Sequence, residues 1–253
     1  MARPRTTLTV QRTEWLSPHL IRVHLGGPGF AAFQTNGFTD SYVKFIFDRE
    51  GIEVLRTYTV RSVDAAAGEI AADFVYHGAE GIAGPWAAEA KPGDTIDLYG
   101  PGGAYAPRAD ADWHLLAGDE SALPAIAAAL EAMGADTVGK VFIEVAGPDD
   151  ELPLHKPDGV ELTWLHRGTE APGEVLAETV RNAPWDDGRV QVFIHGEAQA
   201  VMHDLRRYVR RERNVPAEWA ASISGYWRRG RTEEGFREWK AELKAQEPAS
   251  AAS

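Results

Sequence analysis

The first hundred or so residues read as short runs of β-branched and aromatic side chains. LTVQR, LIRVHL, YVKFIF, RTYTVRS, EIAADFVYH and TIDLYG are these runs, and GGPG, DREG, AAAGE, KPGD and GPGG punctuate them. Short strands joined by turns, with no long helical period among them, predict a compact antiparallel barrel. Beyond APRADAD (106–112), which reads as a linker, the texture changes. WHLLAGD, KVFIEVA, VELTWLH, RVQVFIH and WAASISG are more continuously apolar, as strands covered on both faces are. Between them, SALPAIAAALEAMG puts Leu123, Ile126, Ala127, Leu130 and Met133 on one helical face. Ser121 is placed to cap that helix, Pro124 fits its first turn and Gly134 can end it. AQAVMHDLRRYVRRER sets Val201, Met202, Leu205, Tyr208 and Val209 inward and Arg206, Arg207, Arg210 and Arg211 largely outward. The βαβα alternation predicts a parallel sheet with right-handed crossovers. Residues 1–109 are therefore expected to form the barrel and 110–245 an α/β domain ending in a helix. QEPASAAS (246–253) reads as a disordered tail.

Composition narrows the chemistry. The 253 residues carry a formal net charge of −12, which speaks against a surface built to grip nucleic acid. There is no Cys, so disulfides, thiolate nucleophiles, Cys-type zinc sites and Cys-held iron–sulfur clusters are excluded. The start lacks the apolar stretch of a signal peptide, and no run approaches the ~18 apolar residues of a membrane span. The expectation is a cytoplasmic protein without membrane insertion. The eight His form no H-x-x-x-H pair and there is no G-x-S-x-G, so neither protein-held metal nor a hydrolase elbow is expected. The carboxylates of EVAGPDDE read as a solvated loop.

Several stretches have an unusual chemistry for their position. In RTYTVR, Arg56, Tyr58 and Val60 share one strand face, and Thr57, Thr59 and Arg61 share the other. Cations, a phenol and hydroxyls suit neither simple burial nor simple solvation. LLAGDESALPA takes a buried strand into a helix N-terminus, a natural seat for pyrophosphate, although Asp119 and Glu120 repel phosphate if they point inward. The plainer alternative is a well-capped strand–turn–helix without a ligand. HGEAQAVM repeats the pattern at His195, Gly196 and Glu197. HGAEGIAGPWAAEAKPGD combines Gly78, Gly81 and Gly84 with a short helical run, PWAAEA. GYWRRG packs Tyr226, Trp227, Arg228 and Arg229 together, a set suited to a flat or anionic ligand.

Taken together, RTYTVR, DFVYHG, the glycine-rich turn before Trp86, KPGD…YGPGG, AGDESALPA, HGEA and SGYWRRG resemble the siderophore-interacting protein family. The likeness runs from about residue 6 to residue 240 in the family's order. It implies a ferredoxin-reductase-like fold: an antiparallel Greek-key FAD-binding β barrel followed by a parallel-sheet, nucleotide-binding α/β domain. By that resemblance Arg56 would meet the FAD phosphates, Tyr58 would pack on the isoalloxazine and Thr59 would bond near its N5. Val60 lies between them, and Arg61 would help from the other side of the strand. Asp73, Val75, His77 and Gly78 would line the ring and ribityl chain, and Ala83, Gly84 and Trp86 the pyrophosphate. AGPW departs from the family here, since many relatives have Ser or Thr shortly before the Trp.

Gly118, Asp119, Glu120 and Ser121 with Gly196 and Glu197 would form the NAD(P)H crevice. Arg167 is a candidate for a 2′-phosphate, against the plainer expectation of a surface Arg. The implied activity is electron transfer from NAD(P)H, or from a reduced ferredoxin, through FAD to a ferric siderophore. Lys44, Tyr226, Trp227, Arg228 and Arg229 are the expected substrate contacts, with Lys44 as a strand-edge guard the alternative. A flavin reductase with another acceptor and a non-catalytic flavin or chelate carrier are the rivals.

Overall fold

The computed structural model describes residues 4–231 together with Gly235, Phe236 and Trp239; the expected tail lies outside the described residues. Strand alternation closes the N-terminal part into a barrel. Its strands are β1 (Thr6–Ser17), β2 (Leu20–Gly26), β3 (Tyr42–Arg49), β4 (Ile52–Asp64), β5 (Glu69–Val75) and β6 (Thr95–Gly102). Their order is β1-β2-β5-β4-β3-β6, all antiparallel, with β6 returning to β1. Leu8, Val23, Val43, Phe45, Ile70, Phe74 and Leu98 fill the interior with no exposed area. A short helix, α1 (Ala83–Glu89), lies between β5 and β6 and packs on β5.

The second part is a five-stranded parallel sheet of β7 (Trp113–Asp119), β8 (Gly139–Val145), β9 (Val160–His166), β10 (Val190–Glu197) and β11 (Ser222–Trp227). Its order, β11-β10-β7-β8-β9, puts a topological switch between β7 and β10, where ligands of such sheets bind. Helices α2 (Leu123–Ala132) and α3 (Glu174–Asn182) cover it. The Arg-rich run after β10 is helical with Val201, Leu205, Tyr208 and Val209 of its predicted stripe buried and Met202 partly so, but its turns are π-type over Gln199–Leu205 and Tyr208–Glu212. Nothing in its residue pattern announces the wider turn. The last strand starts later than WAASISG suggested, because Trp219 and Ala220 are buried and the Trp219 carbonyl accepts from Val192 N before pairing with β10 begins at Ser222. Ser121 does not cap α2, whose first turn has no side-chain cap; it donates to Asp119 instead.

The two parts share an apolar cluster. Leu20 and Tyr105 from the barrel side are buried with Leu123, Ile126 and Leu130 of α2, with Leu16 and Val75 packed against them. Arg61 on β4 forms an ion pair with Glu131 of α2. EVAGPDDE is not a solvated loop. Asp150 is 4% exposed and accepts from Ser17 Oγ (2.8 Å) and His19 Nδ1 (2.9 Å), because the turn that carries it lies against the β1–β2 connection. Asp150→Ala is expected to lower unfolding stability by about 1–2 kcal/mol, the loss of partly buried bonds; a urea midpoint equal to the native one would show that the tie contributes nothing. The 106–112 segment is pinned rather than loose: Arg108 N donates to Gln191 Oε1 (2.7 Å), and its guanidinium sits 3.7 Å over the Trp219 ring. No helix among the described residues is long and apolar enough to cross a membrane.

Candidate functional site

The β4 strand answers the question its sequence raised. Arg56 pairs across to Phe45 and Tyr58 to Val43, both interior positions, so the Arg56, Tyr58 and Val60 face turns inward. Tyr58 lies 4.3 Å from the Phe74 ring and 6.1 Å from Phe45 by ring centroids, and remains half-buried. The opposite face meets the α/β domain, with Thr59 buried and Arg61 on Glu131. Lys44 pairs with Thr57 and Tyr42 with Thr59, so Lys44 stands on that same outer face, diagonal to Thr59. The strand-edge explanation of Lys44 does not hold, since β3 is paired on both sides in a closed barrel.

A flavin dinucleotide needs an aromatic wall, hydroxyl partners and donors for two phosphates. Tyr58, Phe74 and Trp86 form a ring cluster, with Trp86 5.6 Å from Phe74. Arg56 on β4 offers a fork of donors for phosphate. Gly78 and Gly81 have φ of 82° and 79° with open space beside them, so the backbone there is approachable. A Cβ at Gly84 would lie 2.9 Å from the Val75 carbonyl, so only Gly lets α1 sit this close to β5. No side chain caps the first turn of α1, which leaves its N–H groups as donors in the AGPW turn. The residues present fit FAD. One expected contact is engaged within the protein: Asp73 is 4% exposed and held by Arg22 (2.7 and 2.8 Å), while His77 is open to solvent.

At the carboxyl edge of the sheet, four acids crowd together. Asp119 is 1% exposed and accepts four hydrogen bonds, from Ser121 N and Oγ, Glu197 N and Trp227 Nε1. Burial, followed by the neighbouring charge of Glu120, pushes its carboxyl up to about 6. Glu197 accepts from Gln199 N (2.5 Å), Ala200 N (3.1 Å) and Arg229 N (3.2 Å). Glu144 has no exposed area and accepts from Gly173 N (2.8 Å) and Leu176 N (3.0 Å), so it caps α3 from outside. Arg167 is not a surface residue. It donates to Glu120 (2.7 Å) and Glu144 (3.1 Å); burial opposes its charge, but these bonds outweigh that and hold it protonated. A nucleotide 2′-phosphate would have to displace two carboxylates from it.

Tyr226 reaches back across the seam. Its hydroxyl is pushed well above the usual range by burial and then by Asp40, Asp119 and Tyr42, and its ring lies 4.4 Å from His195. Arg228 and Arg229 line a cavity of about 660 Å³ with Gly173, Glu174, Arg181 and Glu197, and no barrel residue lines it. Arg228 also stacks on Trp239 at 4.3 Å. Lys44 is not among the residues that line this cavity.

Family models match both parts: the siderophore-interacting FAD-binding domain over residues 9–55 and 48–105, and the siderophore-interacting protein model over 111–230. The chain belongs to the siderophore-interacting protein family. An uncharacterized protein of Mycobacterium tuberculosis is 55% identical across 95% of this chain and 96% of its own. The ferric vibriobactin reductase ViuB of Vibrio cholerae is 34% identical over 90% of each chain. An NADPH-dependent ferric-chelate reductase of Escherichia coli is 28% identical over 79% of this chain and 85% of its own. The crystal structure of a siderophore utilization protein from T. fusca superposes with a TM-score of 0.82 at 35% identity, covering 90% of this chain and 94% of that one. A ferredoxin NADP+ reductase from Neisseria gonorrhoeae shares the fold alone, with a TM-score of 0.64 at 15% identity over 83% of this chain and 92% of that one.

In this siderophore-interacting protein, the matched FAD-binding domain is the barrel that carries Arg56, Tyr58 and Trp86. Sequence reasoning missed Glu144, Asp150 and the Arg181 wall of the cavity. One signal for Glu144 was available, since a lone carboxylate in the apolar run KVFIEVA needs a buried partner.

Proposed function

We propose that the protein is an FAD-dependent oxidoreductase that passes electrons from NAD(P)H, or from a reduced ferredoxin, to a ferric siderophore. The observation that carries this is β4: one strand offers Arg56 and Tyr58 on its inner face and Thr59 on the face that meets the nucleotide-type domain. The match to the FAD-binding domain and the ferric reductases among the relatives support it. Bound FAD supplies the conversion of a two-electron donation into single-electron release. Arg56 holds its phosphates, Tyr58 and Trp86 wall its ring, and Thr59 offers a hydroxyl at the seam. Arg228 and Arg229 attract the chelate, since ferric siderophores are often anionic, while the Trp227 indole is committed to Asp119. Hard oxygen donors fit Fe³⁺ better than Fe²⁺, so reduction loosens the metal and no general acid or base is required.

One feature bears on the donor. The backbone N–H groups at Ser121 and Glu197 are already bonded to Asp119, so neither is open as a seat for a nucleotide phosphate. A ferredoxin donor needs no such seat. Anaerobic addition of NADH, NADPH or reduced ferredoxin is expected to bleach the flavin with at least one of them. A ferric siderophore then restores the colour and an Fe²⁺ chromogen reports release. Bleaching without Fe²⁺ would assign another acceptor, and protein that takes up no FAD would end the proposal. In Arg228→Ala, KM for an anionic ferric chelate is expected to rise about tenfold, the loss of a charge-assisted contact, while flavin reduction by the donor is unchanged. Equal losses in both half-reactions would place Arg228 elsewhere.

A further inference from the structure

Asp119 stands where the first N–H groups of α2 would meet a ligand, yet its carboxylate is spent on the protein itself. Oδ1 takes Ser121 N (3.0 Å) and Ser121 Oγ (2.5 Å), and Oδ2 takes Glu197 N (2.8 Å) and Trp227 Nε1 (2.7 Å). Four donors match the acceptor capacity of a carboxylate. The approach of β10 is close enough to dictate a residue: Gly196 has a φ of 145°, and a Cβ there would lie 2.6 Å from Asp119 Oδ2. All four donors are neutral. The titratable groups that act on Asp119 are Glu120 beside it and Tyr226 from β11, whereas Glu197 on β10 meets it through its backbone N–H. A buried anion arranged this way is costly, so its position needs a reason.

Two of these bonds stay in its own loop, and the two at Oδ2 reach β10 and β11. Asp119 fixes the end of β10 through Glu197 N and the end of β11 through the Trp227 indole. Glu197 Oε1 in turn accepts Arg229 N at 3.2 Å, and Arg228 Nη1 approaches Gln199 Oε1 at 3.4 Å. Glu197, Gln199, Arg228 and Arg229 all line the cavity of about 660 Å³. We propose that Asp119 is a positioning residue that ties the ends of β10 and β11 and thereby sets the strand end from which Arg228 and Arg229 meet an anionic ligand. The part played by the arginines rests on the proposed function; the tie to Trp227 does not.

The experiment has one arm for each. Trp227 emission is isolated by subtracting the spectrum of Trp227→Phe and followed from pH 4.5 to 8 in the FAD-loaded protein. With the Asp119 carboxyl near 6, protonation removes an acceptor site, so the native protein is expected to show a transition close to that pH. Asp119→Asn, whose amide turns N–H against N–H on one side, is expected to abolish it. The second arm measures binding of gallium(III) tris-catecholate, an anionic chelate that cannot be reduced. Asp119→Asn and Trp227→Phe are each expected to bind it about tenfold more weakly, the loss of about one aligned charge-assisted contact, with FAD affinity unchanged as the test of folding. Should Asp119→Asn fail to fold, Trp227→Phe alone decides the second arm, because it removes one bond and retains a ring. A pH-independent Trp227 signal in the native protein, or full chelate affinity in the folded variants, overturns the proposal. A native protein that shows the transition but binds no chelate keeps the tie and overturns the role given to the arginine pair.

Discussion

FAD retention in an Arg56→Ala variant is expected to fall about ten- to a hundredfold, equivalent to roughly 1.4–3 kcal/mol for charge-assisted bonds to phosphate. The readout is a flavin fluorescence titration after dialysis. Arg56 is half-buried on the inner face of β4, its Nη1 2.9 Å from the Leu55 carbonyl, so its guanidinium is held against the strand. A held fork loses less freedom on meeting a phosphate than a lysine stem does. Arg56→Lys, which keeps the charge and loses the fork, is therefore expected to fall between native and Ala. Unchanged FAD occupancy in Arg56→Ala would remove this residue from the site. It would also leave the AGPW turn, with its uncapped helix start, as the main phosphate donor.

Glu144→Ala is expected to have the largest effect on stability, about 3–5 kcal/mol, as when one partner of a buried ion pair is removed. Glu144 is fully buried and accepts from Arg167, Gly173 N and Leu176 N. Its deletion strands the N–H groups of Gly173 and Leu176 at the start of α3 and leaves Arg167 with Glu120 alone. Glu144→Gln keeps a carbonyl oxygen for one set of donors and is expected to cost about half as much. Urea unfolding followed by far-ultraviolet circular dichroism measures both. A loss below about 1 kcal/mol for Ala would show that α3 finds a substitute cap, as ordinary surface pairs allow.

Much of this architecture was legible in the chain because strand periodicity and turn residues are local signals. All six barrel strands and four of the five sheet strands fall where the runs placed them, and the β4 motif stood out for chemistry that no solvent or core position asks for. What stayed hidden depends on partners far away in sequence. Asp150 looks like any loop acid until Ser17 and His19 come to it across 133 and 131 residues. Arg167 reads as a phosphate ligand or a surface charge because neither Glu120 nor Glu144 is near it in the chain. Asp119 was legible as unusual, but not as the hub of β10 and β11, since that needs the sheet order. The AGPW departure remains local in meaning: with no hydroxyl there, α1 has only backbone to offer a phosphate.

The apolar seam has a consequence for how such a chain can be altered. Cutting after residue 109 would strip Leu20 and Tyr105 of Ile126 and Leu130, and bare greasy surface on both fragments. Neither lobe is a portable module. A barrel borrowed from a cousin would have to bring side chains shaped to this α2, so drift on one flank obliges matching drift on the other.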